Sequence, residues 1–164
     1  MASQTQTTVF LEAFARGAVP ASMEGFYRGE LTEVFPRSFQ EHMVALLLNI
    51  WLPWKGKCFY PQVPMGDNIL PLYLQKLFLM KYKDVYDFRA GFDGFHALPF
   101  NISVQIGLEN QMQVLRLDYN LAQNPAMVRT VVDELVEVDG AYFGKAYIVS
   151  GPSFRKLAHF KLFK

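Results

Sequence analysis

The sequence predicts a mainly β protein: an antiparallel up-and-down β-barrel with short N-terminal and inserted helices. Three observations carry that expectation. The segment "FNISVQI" sets Phe100, Ile102, Val104 and Ile106 inward against Asn101, Ser103 and Gln105 outward, the period-2 pattern of a strand with one buried face. Asp139 and Gly140 separate two strand-like runs, "VRTVVDELVEV" and "AYFGKAYIV", and this dipeptide is among the strongest hairpin signals. Fifteen phenylalanines in 164 residues, within an aromatic content of 15%, demand an interior either filled with rings or lined by them. Each buried Phe or Tyr removes on the order of 150–250 Å² from water. Consecutive antiparallel strands with tight turns make a meander, and rolling the meander into a cylinder removes its exposed edges.

Taken in order, residues 1–8 read as a flexible tail and residues 9–164 as a single barrel domain. "TTVFLEAFARG" reads as a short helix with Val9, Phe10, Ala13 and Phe14 on one face and Gly17 as its stop. "GFYRGELTEV" is the first strand, with Tyr27 and Leu31 on one side and Arg28 and Glu30 on the other. Its two glycines, Gly25 and Gly29, weaken a strand and so mark a bend or a close approach by another group. Pro36 ends the strand, and Ser38 with Glu41 forms a capping box for a helix over residues 39–51. The C-terminal end of that helix is apolar almost all round and needs a cover of protein, ligand, partner or lipid.

After Pro53, "WKGKCFYPQV" reads as a strand and "GDN" at residues 66–68 as a turn. Residues 70–89 fit both helical and strand periods and read as strand-like or mixed. "FRAGFDGFHALP" reads as a loop, "GLEN" as a turn and "QMQVLRLDY" as the strand that returns from "FNISVQI". "NLAQNP" interrupts before the Asp139–Gly140 hairpin. "SGPS" then turns into "FRKLAHFKLFK", whose cations and histidine alternate with apolar residues as a strand's wet face would.

A net charge of +1 sets up no field favouring nucleic acid or an anionic membrane. The single cysteine, Cys58, excludes an internal disulfide and any multi-cysteine cluster. It reads as a structural thiol, with Lys57 beside it to lower its pKa. The N-terminus lacks a signal-peptide pattern, and "MVALLLNIWLPW" is too short to cross a bilayer. These features predict a cytoplasmic chain with no nucleic-acid partner and no membrane span. Phosphate-binding loops, serine elbows and RNA-binding aromatic motifs are missing from the sequence.

"GFYRG", "WKGKCF" and "VVDELVEVDGAYFGKAYI", followed by a final aromatic strand, resemble lipocalin-like (calycin-type) β-barrel proteins with a G-x-W-x-G signature near the start. Gly25 and Gly29 match the two glycines of that signature, with Tyr27 in place of the tryptophan. Trp54, Gly56, Lys57 and Phe59 match a second W-x-G-K-x-F segment, and Asp133 with Gly144 fits the later strands. The resemblance implies a calycin-like barrel in which an aromatic near the first strand, here Tyr27, plugs one end. Flanking glycines then permit the bend and the close packing of that ring.

Candidate chemistry centres on two neighbouring carboxylates. Asp133 and Glu134 are adjacent on a strand and must point to opposite faces. If Val132, Val136 and Val138 face inward, Glu134 does too, and it must be paired or neutral. Arg116 and Lys145 on the flanking strands are the candidate cations. Glu134 and Asp133 are therefore the catalytic candidates. Tyr27, Trp51, Trp54, Phe100, Arg116, Tyr119, Lys145 and Tyr147 are the candidate ligand contacts. His42, His96 and His159 lack zinc spacing, so no metal and no cofactor are expected, with haem on His96 or His159 a minor option. The leading functional expectation is a barrel enclosing a hydrophobic small molecule. The alternatives are a cyclase or isomerase acting on a polyketide- or terpenoid-like substrate by carboxylate acid–base catalysis, and a homodimeric or partner-docking module built on residues 43–54.

Overall fold

The computed structural model describes residues 2–35, 54–75, 90–91 and 94–164. The proposed helix over residues 39–51, with His42 and Trp51, and most of the ambiguous stretch 70–89 lie outside them. The described elements are a helix α1 (Ala2–Arg16), two short 3-10 turns (Leu72–Leu74 and Val128–Thr130) and nine strands: β1 (Gly25–Val34), β2 (Gly56–Phe59), β3 (Met65–Leu70), β4 (Ala90–Gly91), β5 (Gly94–Ile106), β6 (Gln113–Asp118), β7 (Val131–Val138), β8 (Ala141–Ser150) and β9 (Ser153–Phe163). The strands follow the order β3-β2-β1-β9-β8-β7-β6-β5-β4, and a further β3–β5 pairing joins the ends. Eight strands thus close an all-antiparallel up-and-down barrel, with the two-residue β4 paired to β5 beside it.

The Asp139–Gly140 hairpin forms as the sequence predicts, both residues at positive φ (52° and 78°), the twist-matched conformation of a two-residue turn. The glycine puzzle of β1 resolves in part as expected. Gly25 adopts φ 76°, a conformation glycine enters without penalty. Gly29 is a close-approach site, but the ring it admits is not that of Tyr27. A Cβ there would sit 2.3 Å from the Trp54 indole. Tyr27 is buried beside Phe59 and Tyr142, in edge contacts at 5.4 and 5.2 Å.

Several elements depart from expectation. α1 starts at Ala2, so residues 2–8 are helical rather than a tail. Phe10, Ala13 and Phe14 are buried on the outer wall of the barrel, where Phe10 and Phe14 meet Val114 and Val136, but Val9 is 59% exposed. Reciprocal backbone hydrogen bonds between Ala18 and Glu137 tie the segment after α1 to β7. "GDN" is not a turn: Gly66, Asp67 and Asn68 lie inside β3. Gly66 leaves room for the Phe100 ring, and the Asn68 amide is engaged by Trp54, Lys57, Tyr119 and the Leu98 carbonyl. The chain turns earlier, between Pro61 and Pro64. "GFHALP" is strand, not loop, because β5 begins at Gly94 and passes a positive-φ residue, Leu98.

The inward set of "FNISVQI" holds at Phe100, which is fully buried, and fails at its far end. Val104 and Ile106 are 51% and 50% exposed. The final strand is also not simply wet: His159 on its outer face is 1% exposed because α1 covers it.

Candidate functional site

Alternation along β7 places Val131, Asp133 and Leu135 inside the barrel and Glu134 and Val136 outside, Val136 under α1 and Glu134 against Leu108 and Arg116. This reverses the expected phase, which turned Glu134 inward with Val132, Val136 and Val138. The cause is local. β7 is apolar on both faces, one covered by the barrel interior and one by the helix, so its pattern names no single inner face. The flanking strands follow the same phase. Arg116, Lys145 and Tyr147 lie on the outer wall with Glu134, while Tyr27, Phe100 and Tyr119 share the interior cluster against which Trp54 packs.

Asp133 anchors a buried polar network inside the barrel, built on two residues the sequence reading passed over, Lys57 and Asn68. Lys57 sits on β2 between Gly56 and Cys58, on the same face as Phe59, and is 2% exposed. Its ammonium donates to Asp133 Oδ2 at 2.8 Å, to Asn68 Oδ1 at 3.0 Å and to the Tyr119 oxygen at 2.5 Å. The Tyr119 hydroxyl donates to Asp133 Oδ2 at 3.1 Å. Trp54 Nε1–H donates to Asn68 Oδ1 at 3.0 Å, and Asn68 Nδ2–H donates to the Leu98 carbonyl at 2.9 Å. Four rings surround the ammonium, those of Phe100, Trp54, Tyr119 and Phe160, with centroids 5.1 to 5.4 Å from Nζ. A cation within about 6 Å of an aromatic face is attracted by the ring quadrupole.

Electrostatics follow burial. Desolvation pulls the Lys57 ammonium below its ordinary value, and the Asp133 carboxylate opposes that pull. Desolvation, reinforced by Asp133, holds the Tyr119 phenol well above the usual tyrosine range, so this hydroxyl is a donor and not a phenolate. Trp54 is the one partly exposed member of the group around Lys57 among the described residues.

The second cluster lies on the outer wall. Glu134 Oε1 accepts from the Leu108 amide at 2.7 Å and from Arg116 at 3.2 Å, so Arg116 is its cation as expected. Lys145 turns instead to Glu109, at 3.0 Å, which Lys156 also reaches at 2.8 Å. Desolvation raises Glu134 above the normal carboxylate range despite these donors. The Tyr147 hydroxyl is likewise pushed up by burial and by Glu134 and Glu109. Cys58 is half-buried and its thiol is raised by desolvation and Asp67, not lowered by Lys57.

Neither histidine offered for haem is turned into the barrel. His96 alternates with the buried Phe95 and Ala97, with its Nδ1 near Tyr60 and Asp67, and His159 lies under α1. Among the described residues no group of three or more His, Cys, Asp or Glu could hold a metal ion, and no helix is long and apolar enough to cross a membrane. No protein family matches this chain, and neither curated proteins nor solved structures give a match.

Proposed function

We propose that the barrel binds an apolar small molecule carrying one oxygen-bearing group, a carbonyl or carboxylate, which Lys57 and Tyr119 receive inside the barrel. The observation that carries this reading is the Lys57–Asp133 pair, buried among aromatic rings with Tyr119 and Asn68. A buried ion pair is weak as a stabiliser, and well-packed apolar residues in its place are often as stable or more so. Folding alone does not require it. Directional donors in an otherwise apolar interior are what fix the orientation of a mostly apolar ligand. The resemblance to lipocalin-like proteins, whose Lys57-bearing segment this chain shares, points the same way. Trp54 is the natural access point, since it packs beside the ammonium and is partly exposed.

The test uses decanal, decanoate, decanol and decane as probes of equal length, followed by native mass spectrometry and tryptophan emission. The three oxygen-bearing probes bind more tightly than decane, by about tenfold or more, the value of one charge-assisted hydrogen bond of roughly 1.5–3 kcal/mol. Lys57→Met/Asp133→Leu keeps the fold and loses that preference. Failure of every probe to bind, or a preference that survives the double substitution, removes the reading.

A second reading makes the same group an acid–base site for cyclisation or isomerisation. It is favoured by the convergence of carboxylate, ammonium and phenol on Asp133 Oδ2 and the Tyr119 oxygen. Asp133 then holds the catalytic role first offered jointly to Glu134, which lies outside the barrel. Turnover of a terpenoid- or polyketide-like probe that Asp133→Asn abolishes, with binding intact, supports it.

A further inference from the structure

A groove of about 350 Å³ runs along the outer wall, between α1 and strands β1 and β9. Its walls include Glu30, Glu33, Phe10, Val9, Lys161 and His159. His159 is 1% exposed, yet neither ring nitrogen has a hydrogen-bond partner among the described residues. Buried polar groups are nearly always partnered, and an orphan in a native fold calls for an explanation. The ring is held firmly in place. Phe10 stacks on it at 4.3 Å and 11°, and Phe35 meets it edge-on at 4.8 Å. Glu33 Oε2 lies 3.3 Å from Nδ1, an ion-pair distance only when the ring is protonated, and accepts from Thr7 Oγ1 at 2.7 Å.

We propose that this groove is a second binding site, independent of the barrel interior, for a small organic amine with an apolar body. Glu30 and Glu33 are carboxylates facing one cation in the lining, Lys161, whose ammonium lies over the Phe143 ring. Lys156 and Lys145 also act on His159 from beyond the lining, each paired with Glu109, so it is at the Glu30–Glu33 wall of the groove that the charge favours a cationic guest over an anionic one. An alkylammonium supplies N–H donors to the Glu33 carboxylate and to the bare nitrogen of His159. Burial, helped by Lys156 and Lys145, pulls His159 down to about 4 against the opposing pull of Glu33, which leaves an acceptor nitrogen at neutral pH. Phe10 and the exposed Val9 offer apolar surface to the rest of the molecule. The volume is at the small end of ligand pockets, roughly 300–1,000 Å³, and suits a guest of benzylamine size.

Titration of the full chain at pH 7 with benzylamine, benzyl alcohol and benzoate, read by the His159 ring resonances, tests the site. Benzylamine produces a saturable shift with a dissociation constant on the order of millimolar, as its size permits. Benzoate produces none, and benzyl alcohol binds more weakly. Glu33→Gln weakens benzylamine about tenfold, and Glu30→Gln, at an exposed position, weakens it severalfold without touching the fold. Lys57→Met/Asp133→Leu leaves benzylamine binding unchanged, which separates this site from the interior one. No saturable shift with benzylamine, equal response to benzoate, or indifference to both carboxamide variants overturns the proposal.

Discussion

Asp133 and Glu134 are neighbours in the chain and both nearly inaccessible, at 4% and 1%, yet they are buried by different means. Asp133 is enclosed by the closure of the barrel and meets an ammonium that is itself fully enclosed, together with Tyr119. Glu134 is covered from outside by elements laid on the wall, and its cation, Arg116, keeps 21% of its side-chain surface in contact with solvent. A charge sealed inside the barrel depends on that ammonium and one phenol. A charge at a covered wall retains a backbone amide and a half-wet guanidinium. The same two acidic residues, one position apart, therefore carry unequal energetic weight.

Removing one partner from each pair separates the two cases most sharply. Lys57→Met strands Asp133 inside the barrel and lowers unfolding stability by about 3–5 kcal/mol, whereas Lys57→Met/Asp133→Leu restores it to within about 1 kcal/mol or better. Arg116→Met costs about 1–2 kcal/mol, because Leu108 still donates to Glu134. Urea unfolding at pH 7 measures all three, and equal losses in the two single variants would break the comparison.

Acid distinguishes the two faces next. His159 is neutral in the folded state with its value lowered to about 4, against an ordinary 6.5. The unfolded chain therefore takes up the proton first as pH falls. The contribution is intact above pH 6.5 and is lost progressively down to about 4, roughly 2 kcal/mol once solvent screening is allowed for. Glu134 titrates in the opposite sense, because its raised value lets the folded state bind a proton before the unfolded one does. Stability curves of the wild type and His159→Leu between pH 7 and 4 check the sign. The wild type shows the steeper acid loss. The smallest effect lies at the far end of β5, where Val104→Thr and Ile106→Thr change stability by less than about 0.5 kcal/mol, since both positions are half exposed.

What the sequence made legible follows from how many faces each segment buries. The Asp139–Gly140 turn needs only its own two residues, so the sequence alone specifies it. β7 buries both faces, so alternation locates the strand but not its phase, and Glu134 lies opposite to the side its valine neighbours suggest. "GDN" contains three turn formers and still forms strand, because Asn68 is satisfied by partners as distant as Tyr119, 51 residues along the chain. Lys57 was the missed signal. A lysine that alternates with Phe59 in "WKGKCF" occupies an apolar face, and its cost there is the clue that it has a partner.

The pairing of β1 with β9 sets Gly29 against Leu162 and Leu31 against Phe160, contacts between the opening and closing stretches of the chain. Such distant partners meet late, so this seam closes after the local hairpins have formed. Until then the half-made sheet presents two raw edges, the state most prone to cross-pairing between molecules. The helix that roofs His159 also lies along this seam, and Lys164 reaches back to the Glu24 carbonyl at 3.0 Å. Weakening either clasp should therefore show first as lost yield on refolding at high protein concentration, before any change in the finished fold.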